Sequence, residues 1–119
     1  MSRDPNPFLR AMLEAAAKVI SYTNGLNQSE FVANSIIYDA VLRNLEIIGE
    51  AAKRVPQNVR DATPNVPWRM ICGFRDHLAH GYFGLDDDLV WEVISEEIPA
   101  LLLAMAAARM ADSGPGDIP

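Results

Sequence analysis

The chain has 119 residues, 10 Lys and Arg against 16 Asp and Glu, a net charge of −6, half its residues apolar and a single cysteine. That suffices for one domain with its own core and excludes two compact domains, a disordered chain or a fibrous one. Cys72 has no partner within the chain and no apolar signal core follows a basic start, so a reducing cytoplasm is the expected setting. The longest uncharged apolar stretch, Ile98 to Ala108, is too short for a bilayer of about 30 Å and contains Pro99, so no membrane span is expected. The acidity argues against long, sequence-blind binding along phosphates, and DNA is not an expected partner. The charge is unevenly spread, however. Residues 43–75 hold six basic and three acidic side chains, whereas residues 76–119 hold one and nine.

Hydrophobic spacing is helical nearly throughout, and no segment alternates with period two, so the expected class is all-α: an up-and-down bundle of four to five helices. Residues 1–110 are expected to form the domain and residues 111–119 a disordered tail. Phe8, Met12, Ala15, Val19 and Tyr22 share a face of a first helix that should stop near Asn24 and Gly25. Asn27 followed by Glu30 has capping-box character and predicts a short second helix, with a bend near Asn34 and Ser35. In the longest helix Ile37, Val41, Leu45, Ile48 and Ala52 form an apolar stripe, opposite Asp39, Arg43, Glu46, Glu50 and Lys53.

Pro56 ends that helix and leaves room for one helical turn around Gln57 to Asp61. Pro67 suits the first turn of the next helix, for which Trp68, Ile71, Cys72, Leu78 and Ala79 supply the apolar side and Gly81 the stop. Asp86, Asp87 and Asp88 favour the amino end of a final helix whose stripe is Val90, Trp91, Ile94, Ile98, Leu101, Met105 and Ala108. Pro99 should bend it. Trp68 and Trp91 lie on apolar stripes and read as core anchors rather than base-stacking platforms.

The residues able to carry chemistry crowd into Arg75-Asp76-His77-Leu78-Ala79-His80-Gly81-Tyr82. On a helix Asp76 and His80 stand one turn apart, so the carboxylate could fix the imidazole tautomer, and the negative end of the helix favours its protonated form. Arg75, five residues before His80, lies about 140° around the axis, within reach of a long side chain. A proton shuttle beside a fixed cation suits metal-independent RNA cleavage. The same run also reads as a salt bridge at a helix end. His77 with His80 and Asp76 is too sparse a donor set for a zinc site, so no metal or cofactor is expected, and His77 reads as a surface or dimer-contact residue. Arg43, Lys53, Arg54, Arg60 and Arg69, just ahead of Arg75, are candidates for a phosphate track.

Arg75, His80 and Tyr82, spaced as Arg, four residues, His, one residue, Tyr, resemble the motif of the HEPN ribonuclease-like family, in particular its HepT-like toxin branch. The blocks Val66-Pro67-Trp68-Arg69, Tyr82-Phe83-Gly84-Leu85-Asp86, Val90-Trp91-Glu92-Val93-Ile94 and Ile98-Pro99-Ala100-Leu101 are similar to that branch in order and spacing. So is residues 40–53, and the resemblance covers roughly residues 8–110. It implies an all-helical bundle, a homodimer with two motifs across a cleft, and a metal-independent endoribonuclease with Arg75 and His80 catalytic. Asp76 and Tyr82 would support them; the family commonly has a polar residue, often Asn, where Asp76 stands. The resemblance further implies a type VII toxin–antitoxin system, in which a minimal nucleotidyltransferase antitoxin neutralises the toxin by AMPylation of Tyr82. The competing expectation is a non-catalytic helical module that binds a nucleotide or the transferase, its acidic last third docking a basic surface.

Overall fold

The computed structural model describes residues 7–74 and 85–112, with side chains described as far as residue 106. Described residues form helices and no β-strand. They are α1 (Pro7–Thr23), α2 (Gln28–Ala33), α3 (Ser35–Lys53), α4 (Gln57–Asp61), α5 (Trp68–Cys72), α6 (Asp87–Glu92), a π-helical turn (Val93–Glu97) and α7 (Ile98–Asp112). The fold is all-α, as expected, with long helical runs joined by short helical pieces. Residues 113–119 of the expected tail lie outside the described residues.

α1 packs along α3 and also meets α7 and the π turn. Met12, Ala15, Ala16, Val19 and Thr23 are its buried residues, at a spacing of three and four. The expected face therefore rotates slightly at its end: Tyr22 is exposed, and Thr23 turns inward with its hydroxyl donating to the Val19 carbonyl at 2.8 Å. Gly25 takes a φ of +81° just after the helix, a left-handed conformation that a side chain would oppose.

α2 begins with the reciprocal cap that the sequence predicts. The Glu30 amide donates to Asn27 Oδ1 and the Asn27 amide donates to Glu30 Oε1, both at 2.9 Å. Asn34 serves both helices, its amide donating to the Phe31 carbonyl at 3.2 Å while its Oδ1 accepts from the Ile37 amide at 3.0 Å. One asparagine thus satisfies groups at the end of one helix and the start of the next.

α3 buries Val41, Leu45, Ile48, Ala51 and Ala52, with Ile37 half-buried. On its wet face Arg43 pairs with Glu46 and Lys53 with Glu50. α4 spans the predicted Gln57 to Asp61. Pro67 stands at the cap of α5 instead of inside its first turn, a shift of one position that leaves its missing N–H equally harmless.

The last helical run carries the irregularity that Pro99 predicts, placed ahead of the proline. A regular ladder would need an N–H from residue 99 for the Ser95 carbonyl, and room beside that carbonyl for the ring. Over Val93–Glu97 the helix widens instead, and the Ile98 amide donates to Val93, five residues back. Val90, Ile94, Ile98, Leu101 and Met105 stay buried through the change, as the stripe predicts, Val93 is buried beside them though outside that stripe, and Trp91 is half-buried against the core. No helix among the described residues is long and apolar enough to cross a membrane.

Candidate functional site

The sequence motif, Arg75, Asp76, His77, His80 and Tyr82, lies outside the described residues, as does Gly81; the helix expected to run unbroken from Pro67 to Gly81 instead ends at Cys72, capped by Gly73, whose amide donates to the Met70 carbonyl at 3.1 Å. The described residues define the frame on either side of it. On the amino side, α5 and Phe74 are seated in the core: Ile71 is 1% and Phe74 2% exposed. α5 packs on α3 at Gly49, where a Cβ would lie 3.2 Å from the Ile71 carbonyl oxygen and 3.8 Å from the Phe74 Cβ. Glycine lets the two backbones approach at this point, and the approach fixes where α5 delivers the chain into the motif.

Trp68 is the other anchor of α5. Its indole is nearly buried, with Nε1 donating to the Thr63 carbonyl and Oγ1, both at 3.1 Å, and the Arg60 guanidinium 5.8 Å from the ring centroid. The indole N–H is satisfied inside the fold, as a core anchor requires.

On the carboxyl side, Leu85 packs against the core and the three aspartates follow at once. Each takes a different task. Asp86 caps α6, its Oδ1 accepting from the amides of Asp88 at 3.0 Å and Leu89 at 3.2 Å. Asp87 accepts from the Tyr38 hydroxyl on α3, and Asp88 accepts from Gln28 Nε2 on α2 at 2.6 Å. Phe31, fully buried, lies under this tie, its ring 5.0 Å from Tyr38 and 5.6 Å from Trp91. The phenol of Tyr38 is pushed up to about 12 by burial, then by the hydrogen bond to Asp87 and the negative charges of Asp87 and Asp39.

Gln28, Tyr38 and Asn44 are residues that sequence reasoning missed. Asn44 left a signal, being a polar residue between Val41 and Leu45 on an apolar stripe. It is buried, and its Nδ2 donates to the Ala40 carbonyl at 2.8 Å. Tyr38 and Gln28 left none, since their partners lie 49 and 60 residues away.

The basic stretch ahead of the motif divides once bonding is known. Arg43 and Lys53 face their own glutamates at 3.4 and 3.3 Å. Arg60 reaches back to the end of α3, with Nε donating to the Val55 carbonyl at 3.0 Å and Nη2 to those of Ala52 at 2.9 Å and Lys53 at 3.1 Å. It adds side-chain donors to the carbonyls at the end of α3, where Lys53 and Arg54 already place positive charge. Arg54 and Arg69 are exposed and have no ion pair or side-chain hydrogen bond among the described residues. A continuous track of five cations is therefore reduced to two unengaged ones.

Comparison with known proteins places these features in a family. The family model described as "Ribonuclease HepT-like" matches residues 12–108. The chain is 42% identical over 99 residues to "Putative RNase MJ1380" of Methanocaldococcus jannaschii, covering 83% of this chain and 91% of that protein. It is 39% identical over 99 residues to "Putative RNase TTE0752" of Caldanaerobacter subterraneus, covering 83% and 88%. It is 36% identical over 101 residues to "Probable ribonuclease HepT" of Thermococcus cleftensis, covering 85% and 92%. No solved structure gives a significant match.

Proposed function

Because the chain belongs to the HepT-like ribonuclease family, we propose that it is a metal-independent endoribonuclease whose reacting groups are Arg75 and His80. The observation that carries this reading is the extent of the family match, residues 12–108, which includes the Arg75, His80 and Tyr82 spacing. His80 moves the proton of a ribose 2′-hydroxyl, the 2′-oxygen attacks phosphorus, and the bond to the 5′-oxygen breaks as that oxygen regains a proton. Arg75 stabilises the charge that gathers on the phosphoryl oxygens. Asp76 holds the imidazole tautomer and strengthens its hold on a proton.

In this reading two copies form a homodimer with the motifs across one cleft, and a minimal nucleotidyltransferase acts as antitoxin by attaching adenylate to Tyr82. The added phosphate would put negative charge where the RNA backbone has to sit. The test compares RNA breakdown by the purified wild type and His80→Ala, together with growth on expression of each. The substitution removes the shuttle and is expected to cost about 10²–10⁴-fold in rate. Equal RNA breakdown by the two proteins would remove His80 from the chemistry. A stable complex holding intact RNA at every wild-type concentration would instead favour a non-catalytic binding module, to which the acidic residues 76–119 lend some support.

A further inference from the structure

Between α4 and α5 runs an open groove of about 540 Å³, lined in part by Gln57, Arg60, Asp61, Trp68, Arg69 and Cys72. The carboxylate of Asp61 accepts from Gln57 Nε2 at 2.8 Å, and the guanidinium of Arg60 is bonded to the end of α3. Arg69 alone among these charged groups is exposed and unengaged among the described residues, and it also lines the adjoining groove formed with Pro67, Met70 and Gly73. The groove thus carries a net positive charge with one free five-donor fork, a geometry matched to a phosphodiester.

A second groove, between α1 and α3, also contains two arginines, Arg43 and Arg54. It holds Glu46 and Glu50 as well, so its lining carries no net charge; Glu46 pairs with Arg43, and Glu50 pairs with Lys53 beside the unengaged Arg54. Of these two grooves, the α4–α5 groove is the one whose described lining carries net positive charge, and in sequence Arg69 precedes Arg75 by six residues.

We propose that the α4–α5 groove is a subsite for a single-stranded RNA phosphodiester, with Arg69 as its anion-binding side chain. The proposal rests on the ribonuclease reading and adds to it a place where the substrate strand is held outside the reacting groups. Arg60 contributes positive potential without leaving its carbonyl partners, and Trp68 forms an apolar floor.

Cys72 is the chain's one cysteine and lines this groove, which makes occupancy directly readable. The experiment uses the His80→Ala protein, so that a short fluorescein-labelled single-stranded RNA stays intact. Affinity is followed by anisotropy and Cys72 by its rate of alkylation. RNA is expected to slow alkylation over the same concentration range in which it binds. Arg69→Ala should abolish that protection, weaken binding several-fold and reduce the slope of log affinity against log salt by about one. Arg69→Lys should keep the slope, because the charge is retained, and Arg54→Ala should leave protection intact. RNA binding without protection of Cys72, unchanged affinity and salt slope in Arg69→Ala, or no RNA binding would each overturn the subsite. Protection by polyglutamate but not by RNA would also overturn it, in favour of an acidic peptide. Wild-type cleavage is measured separately: cleavage with unprotected Cys72 defeats only the subsite, and protection without cleavage defeats only the catalytic reading.

Discussion

Arg60 belongs to the basic stretch by charge and to the end of α3 by bonding. Its donors meet the carbonyls of Ala52, Lys53 and Val55 at the end of α3, and the Ala52 carbonyl also accepts from the Val55 amide at 3.2 Å. Tyr38 shows the same kind of engagement in a titratable group, its hydroxyl donating to Asp87 across the bundle. Its folded pKa of about 12 lies above the ordinary value of 10.0, so the folded state holds this proton more tightly than the unfolded chain. The stability linked to it is complete below pH 10 and is lost as pH rises from 10 towards 12. Denaturant unfolding across that range should show wild type losing stability faster than Tyr38→Phe, which has no proton to lose. Parallel decline of the two proteins would assign the loss to other groups.

At the scale of elements, the decisive contact is α3 against α5 at Gly49. Alanine there would gain about 0.5–1 kcal/mol of helix propensity but would press a methyl to 3.2 Å from the Ile71 carbonyl. Valine adds two further carbons against backbone that has little room to move. Gly49→Val is expected to destabilise by about 1–3 kcal/mol, the usual cost of overpacking, measured as a lower urea midpoint at unchanged m-value. Because α5 leads into the motif, the same variant should also lose RNA cleavage at temperatures where it remains folded. Full activity in a folded Gly49→Val would show that the spacing of α3 and α5 does not position the reacting groups. On the far side of the motif, Asp86, Asp87 and Asp88 provide the corresponding hold through a cap and ties to α3 and α2.

For the molecule as a whole, the described surface leaves large apolar side chains in water. Ile36 on α3 is 81% exposed and Leu103 on α7 is 73% exposed, whereas neighbouring stripe residues are buried. Exposed apolar side chains mark a symmetric interface where they form one contiguous patch, and single ones are ordinary on any surface, so the homodimer rests on the family reading. Under the proposed homodimer, sedimentation of the 13.1 kDa chain should give a species of twice that mass. A single 13.1 kDa species at all concentrations would count against a cleft built from two copies.

The sequence by itself determined most helices and their ends, since those depend on neighbours three and four positions away. The Asn27 and Glu30 cap, the Gln57 to Asp61 turn, the helix start at Asp86 to Asp88 and the stripes of α3 and α7 were legible for that reason. The ordered blocks around Arg75, His80 and Tyr82 likewise made the family legible, and the match over residues 12–108 agrees. Only the tertiary structure decided what the charged and polar side chains away from the helix caps do. Composition counts Arg60 and Arg69 as equal cations, but folding brings one to the carbonyls of α3 and leaves the other facing a groove. Nor could local spacing pair Tyr38 with Asp87, or require glycine at position 49, because both depend on which helix packs beside α3. Hydrogen bonds and close approaches between distant segments exist only once the core has set the helices against one another.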